Sequence, residues 1–210
     1  SRQGVLSGIL NGVDYREWRT TNNPYLAAPY HSDDLDGKNI CKQFIQKEVG
    51  LPISNAPLFG TVSRLAEQKG ISVLVEALAD ILCENEMQYV GLGSGDGQLA
   101  GQLKSLQGRF PKQVRFVEGY SNALAHQIEA GADYFVMPSR FEPCGLNQLY
   151  SLRYGTIPIV NGVGGLVDTV IDIGHDKPTG LVLNQLTVQA LSDALKKACR
   201  VHGSDQLREM

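Results

Sequence analysis

The sequence is poor in the features that mark special classes of protein. It holds four cysteines in 210 residues, at 41, 83, 144 and 199. None is near enough to another for a Cys-x-x-Cys or Cys/His zinc pattern, and four are too few for a disulfide scaffold. Reduced thiols in a cytoplasm-like compartment are therefore expected, as is a chain without a metal. Neither charge sign dominates: 19 basic against 22 acidic residues leave a net charge of −3. That balance excludes a broad nucleic-acid-binding face. No apolar run approaches the ~20 residues of a membrane-spanning helix, so no membrane partner is expected. Residues 1–10 lack the basic and apolar regions of a signal peptide. The first residue is Ser1 rather than methionine, which points to a fragment or a processed chain. With 42% hydrophobic and 20% charged residues, what remains is an ordinary globular composition.

Residues 1–56 read differently from the rest. They carry turn signals (Asn11-Gly12, Asn22-Asn23-Pro24, Asp36-Gly37), and their six basic and six acidic residues cancel. One helix is expected from about Lys38 to Val49, where Ile40, Cys41, Phe44, Ile45 and Val49 keep a period near 3.6. This segment reads as a hinge or linker plus a covering helix, and residues 57–210 as the domain proper.

From Pro57 a rhythm sets in. Strands are expected at 58–62, 87–90, 114–117, 134–137 and 157–160. Helices are expected at 70–84, 97–107, 122–131, 145–154 and 187–200, with Ser121 and Thr187 as N-caps. Strand and helix in alternation specify an α/β fold, a Rossmann-like parallel sheet with helices on both faces. Ligands of such sheets bind beyond the carboxyl ends of the strands. The chemistry is therefore sought in the loops that follow strands.

Ser63–Gly70 places Arg64 and Lys69 at a strand end, just before a helix. Guanidinium, ammonium and free helix amides suit a diphosphate, although two solvated surface charges give the same spacing. Gly91–Gly97 resembles a dinucleotide fingerprint only in part. Gly91-x-Gly93 meets Asp96 where glycine or alanine is needed, whereas Gly95-x-Gly97-x-x-Ala100 fits but lies late; a tight turn is the plainer reading. Gly119-Tyr120 offers an aromatic that stacks on a base or merely packs. In Ser139–Gln148, Glu142 is held extended by Pro143 and stands ready for sugar hydroxyls or for positive charge at an anomeric carbon. Cys144 reads either as a nucleophile or as a packed thiol, with no histidine near in sequence. Gly162–Gly165 is a tight turn or a close approach to a ligand. The four histidines form no metal spacing, and His126 reads as a packing or surface residue.

Taken together these loops resemble the bacterial glycogen synthase and plant starch synthase family, glucosyltransferases of the GT-B fold. The resemblance rests on Gly8–Asp14, Ser63-Arg64-Leu65 with Gln68-Lys69-Gly70, Pro138–Leu146 with Gln148-Leu149-Tyr150, and Gly164-Gly165-Leu166 with Asp168-Thr169-Val170. It implies that Arg64 and Lys69 hold the donor diphosphate beside the amides at Gly70. It implies that Glu142 sits by the donor glucose, that Cys144, Gly145, Leu146 and Asn147 face sugar and phosphate, and that Gly119 and Tyr120 meet the nucleotide base. Gly164 and Gly165 would line the same cleft, and Gly8–Asp14 would be the interdomain hinge. Tyr150 stands where the broader retaining group often has a second glutamate, as in the starch and glycogen synthase branch. Asn147 stands where many members have threonine.

The implied reaction moves glucose from ADP-glucose to the nonreducing end of an α-1,4-glucan with retention, using no cofactor. The resemblance covers the second, donor-binding domain. The N-terminal acceptor domain and the final C-terminal helix would be missing, so the fragment alone is expected to be inactive. A cytoplasmic location follows, or a plastid if the source is a plant. Rival readings are another retaining sugar-nucleotide transferase or epimerase, an NAD-dependent oxidoreductase domain and a glucan-binding module. The last would need exposed aromatic platforms, and 7% aromatics with one tryptophan supply few.

Overall fold

The computed structural model describes residues 9–204. Six parallel strands form one sheet: β1 Leu58–Val62, β2 Gln88–Gly93, β3 Val114–Glu118, β4 Tyr134–Met137, β5 Ile157–Asn161 and β6 Leu181–Leu183. Seven helices accompany them: α1 Asp36–Glu48, α2 Ile71–Ile81, α3 Gly97–Arg109, α4 Asn122–Gly131, α5 Asn147–Arg153, α6 Gly165–Thr169 and α7 Val188–Val201. The spatial order is β3-β2-β1-β4-β5-β6. This is the doubly wound Rossmann order, and its direction reverses between β1 and β4.

Alternation along each strand sends side chains to two cores. In β4, Tyr134 and Val136 join the apolar cluster under α2, α3 and α7. Phe135 and Met137 join the opposite cluster with Ile45 of α1 and Ala125 and Ile128 of α4. The expected caps are present: Ser121 accepts from the Leu124 amide, and Thr187 from the Ala190 amide.

Several expectations change. β2 runs on to Gly93 instead of ending at 90, because Gly91, Leu92 and Gly93 continue the ladder to Phe116, Val117 and Glu118. α5 begins at Asn147 rather than 145, since Gly145 (φ 75) and Leu146 have non-helical backbone. β6 and the one-turn α6 are additional elements. α1 forms where its period places it, but rotated. Ile40 and Phe44 face solvent, while Lys38, Cys41, Lys42, Ile45 and Gln46 point inward. The three polar members earn their burial through bonds. Lys42 Nζ pairs with Asp133 at 2.6 Å, and Gln46 Nε2 reaches the Gln88 side chain at 2.8 Å.

Residues 9–35 precede α1 without a helix or strand and lie partly against α4 and α5. Trp18 is stacked between His126 and Tyr150, with centroids 4.0 and 3.6 Å away. Of the hinge stretch, Gly8 lies outside the described residues, as does the chain from 205 onward; Ile9–Asp14 carry no regular structure.

Candidate functional site

A cavity of about 200 Å³ opens where the strand order reverses. Its floor is Thr61 and Val62 from the end of β1 and Val136 and Met137 from the end of β4. Two loops wall it: residues 63–70 between β1 and α2, and residues 138–146 between β4 and α5.

The loops are bound to each other. The Arg140 amide donates to Gln68 O at 2.8 Å, and Gln68 Nε2 donates to Phe141 O at 2.9 Å. The Arg140 guanidinium pairs with Glu67 at 2.8 Å on the outside. Gly70 makes this closeness possible. It is left-handed (φ 67), and a Cβ there would lie 1.9 Å from Pro138 O. Its amide donates to Glu67 O at 3.0 Å, closing the 3₁₀ turn Glu67–Lys69.

Lys69 and Glu142 meet inside the cavity. Lys69 Nζ donates to Glu142 Oε2 at 2.5 Å, and Ser139 Oγ donates to the same oxygen at 3.1 Å. Glu142 is 7% exposed, so its charge needs these partners. Arg64 lines the same cavity, is exposed, and has no ion pair among the described residues. The site thus holds a shielded carboxylate, a cation bound to it and a second cation free to meet an anion.

Gly145, Leu146 and Asn147 also line the cavity. Asn147 Nδ2 donates to Val62 O at 2.7 Å, tying the start of α5 to the end of β1. Gly164 and Gly165 support the site from behind. A Cβ on Gly164 (φ 49) would lie 2.0 Å from Glu142 O, and the Gly165 amide donates to that oxygen at 3.1 Å. Cys144 packs against Gly165, and its carbonyl accepts from Gln148 Nε2 at 2.9 Å. Gly119 and Tyr120 lie on the loop after β3, outside the cavity lining, with Tyr120 85% exposed. Ser139 and the Asn147 clasp were not legible in the sequence, since each depends on a partner brought in from a distance or on the exact loop path.

The glycine-rich stretch is not shaped for a pyrophosphate. It follows the second strand, and Asp96 caps α3 itself, accepting from the Gln98 and Leu99 amides at 2.7 and 3.1 Å. Its own carboxylate therefore occupies the helix end that a dinucleotide would need. His126 is fully buried beneath Trp18. Its Nδ1 lies 2.8 Å from the Tyr154 hydroxyl, and burial lowers its pKa from the ordinary value.

Residues 42–208 match the family described as glycosyl transferases group 1. A glycogen synthase from Thioalkalivibrio sulfidiphilus is 50% identical over 207 residues, which are 96% of this chain and 43% of that protein. A glycogen synthase from Aeromonas hydrophila is 49% identical over 199 residues, 94% of this chain and 41% of that protein. The catalytic domain of starch synthase IV from Arabidopsis thaliana, solved with ADP and acarbose, superimposes with a TM-score of 0.87 at 35% identity. That match covers 96% of this chain and 44% of the other. The chain therefore spans less than half the length of these relatives. With its cavity at the strand-order switch, and its Arg64, Lys69 and Glu142 in the loops that carried the resemblance, the chain belongs to the glycosyl transferases group 1 family, on the branch of the glycogen and starch synthases.

Proposed function

We propose that this chain is the donor-binding half of a glucosyltransferase that moves glucose from ADP-glucose to the nonreducing end of an α-1,4-glucan, with retention. The observation that carries the reading is the cavity between β1 and β4, where Arg64 and Lys69 converge beside the buried Glu142. The relatives' names and the ADP and acarbose of the starch synthase structure support the choice of donor and acceptor.

In this reading Arg64 grips the diphosphate through its planar fork, and Lys69 adds a point charge. Their field stabilises the ADP leaving group as its bond to glucose breaks, without a metal or cofactor. Glu142 orients the glucose or stabilises oxocarbenium character. Lys69 has two claimants, the Glu142 carboxylate and the incoming phosphate, so donor binding partly exchanges one for the other. The acceptor attacks from the side the leaving group departs. Gly119 and Tyr120 meet the base, and the acceptor contacts come from an N-terminal domain of the same enzyme, in the cytoplasm. The fragment alone is expected not to turn over.

Calorimetric titration with ADP, UDP and NAD, with Arg64→Ala as control, tests the proposal. Binding of ADP, weaker binding of UDP, none of NAD, and loss in the control are expected. Preference for NAD overturns it. Transfer of glucose to glycogen by the purified chain would refute the expected inactivity.

A further inference from the structure

Behind the cavity, α4 carries a carboxyl group for which the site has no stated use. Glu129 is 1% exposed. Its Oε2 lies 2.7 Å from Ser151 Oγ, and the same Oγ lies 2.8 Å from Asn147 O. A serine hydroxyl has one hydrogen. With Glu129 ionised, both neighbours of Ser151 are acceptors, and one of the two contacts has no hydrogen in it. A hydrogen on Glu129 satisfies both: Glu129 donates to Ser151, and Ser151 donates to Asn147 O.

Two further observations agree. Glu129 Oε1 is buried with no hydrogen-bond partner among the described residues. That is tolerable for the carbonyl oxygen of an acid and costly for a carboxylate. Among the described residues no cation pairs with the group either. Lys38, whose charge acts on it, directs its three hydrogens to Ala130 O, Tyr154 O and Thr156 Oγ1 at 2.9, 3.1 and 2.6 Å. The other titratable groups around this pocket are Cys41 and Lys42 of α1, Glu17 and Tyr30 of the N-terminal segment, His126 of α4, Asp133 just after it, and Tyr150, Arg153 and Tyr154 from α5 and its end. Burial holds the Tyr30, Tyr150 and Tyr154 hydroxyls in their neutral form, and raises Glu129 well above the usual carboxylate range.

We propose that Glu129 is a neutral carboxylic acid in the folded chain and a positioning residue for the cavity. Its proton orders the relay Glu129–Ser151–Asn147 that fixes the first turn of α5, from which Asn147 reaches Val62 O. The positioning half rests on reading the cavity as the donor site; the proton half does not.

The first test labels glutamate side-chain carboxyls with carbon-13 in the 210-residue chain and follows their NMR signals from about pH 4 to about pH 9. One signal is expected to keep its protonated position through neutral pH and to vanish in Glu129→Gln. Ionisation of every glutamate by about pH 6 overturns the proposal, and this reading needs only the wild-type chain. Urea unfolding supplies the second test. Relative to Glu129→Gln, whose amide keeps the donor, the wild-type unfolding constant should grow about tenfold per pH unit above the ordinary glutamate value. A ratio that stays flat with pH overturns the proton.

ADP titration then examines positioning. Glu129→Ala should weaken ADP several-fold and Glu129→Gln should restore it. Unchanged affinity in Glu129→Ala overturns the positioning half. A wild-type chain that ignores ADP overturns the donor reading and the positioning half together, while the proton is still decided by the first two tests.

Discussion

On one face of the sheet α2, α3 and α7 bury an almost wholly apolar surface. On the other, α1, α4 and α5 bring Lys38, Lys42, Gln46, His126, Glu129 and Ser151 into the interior. Both faces exclude water, but by different means. Apolar contact is strong and tolerant of small shifts. Buried hydrogen bonds contribute less net energy and fix distance and direction. The polar face is the one that carries α5, and α5 begins in the wall of the cavity. Where a side chain must be placed to a fraction of an ångström, the molecule uses directional bonds.

Substitutions on the two faces should separate these roles. The largest effect is expected from Leu78→Ala in α2, which is fully buried in the apolar cluster. It should lower stability by about 2–5 kcal/mol in urea unfolding, with the pH dependence unchanged.

Lys38→Met is expected to cost about 1–3 kcal/mol, because three buried acceptors lose their donor. It should also alter the pH profile. Burial lowers the Lys38 ammonium to about 8, below its ordinary value, so above that pH the unfolded chain binds the proton more tightly. Wild-type stability therefore gains from Lys38 as pH rises from about 8 towards about 10, and loses that gain as pH falls back. Urea midpoints across this range should show the gap between wild type and variant shift in favour of the wild type as pH rises.

In the site, Lys69→Ala strips the buried Glu142 of its cation and leaves only the Ser139 bond. A stability loss of about 1–3 kcal/mol and loss of ADP binding are expected together. Arg64→Ala closes the series: exposed, and with no ion pair among the described residues, it should change stability by no more than about 0.5 kcal/mol while still abolishing ADP binding. A stability loss as large as that of Lys69→Ala would show that Arg64 has a structural partner.

The contrast between the faces also explains what the sequence made legible. α2 and α7 bury apolar residues at helical spacing, so period alone identifies them. β4 and α4 begin and end where their patterns and the Ser121 cap place them. α1 obeys the period but turns its lysines inward, because the helix buries what has partners, and those partners lie some ninety to a hundred and twenty positions away. β6 is three residues long, too short to show alternation. In the site, Arg64, Lys69 and Glu142 were legible because a loop after a strand announces them. That Lys69 and Glu142 bind each other was not, since 73 positions separate them.

Trp18 gives the polar face one more property. It is the sole tryptophan of the chain, and its indole lies flat between an imidazole and a phenol ring. Intrinsic emission therefore comes from a single known place, the seam where the segment before α1 lies on α4 and α5. A red shift on mild denaturation, ahead of the loss of helical circular dichroism, would mean that this segment peels away while the sheet stands. A coincident change would mean that the seam and the sheet melt as one.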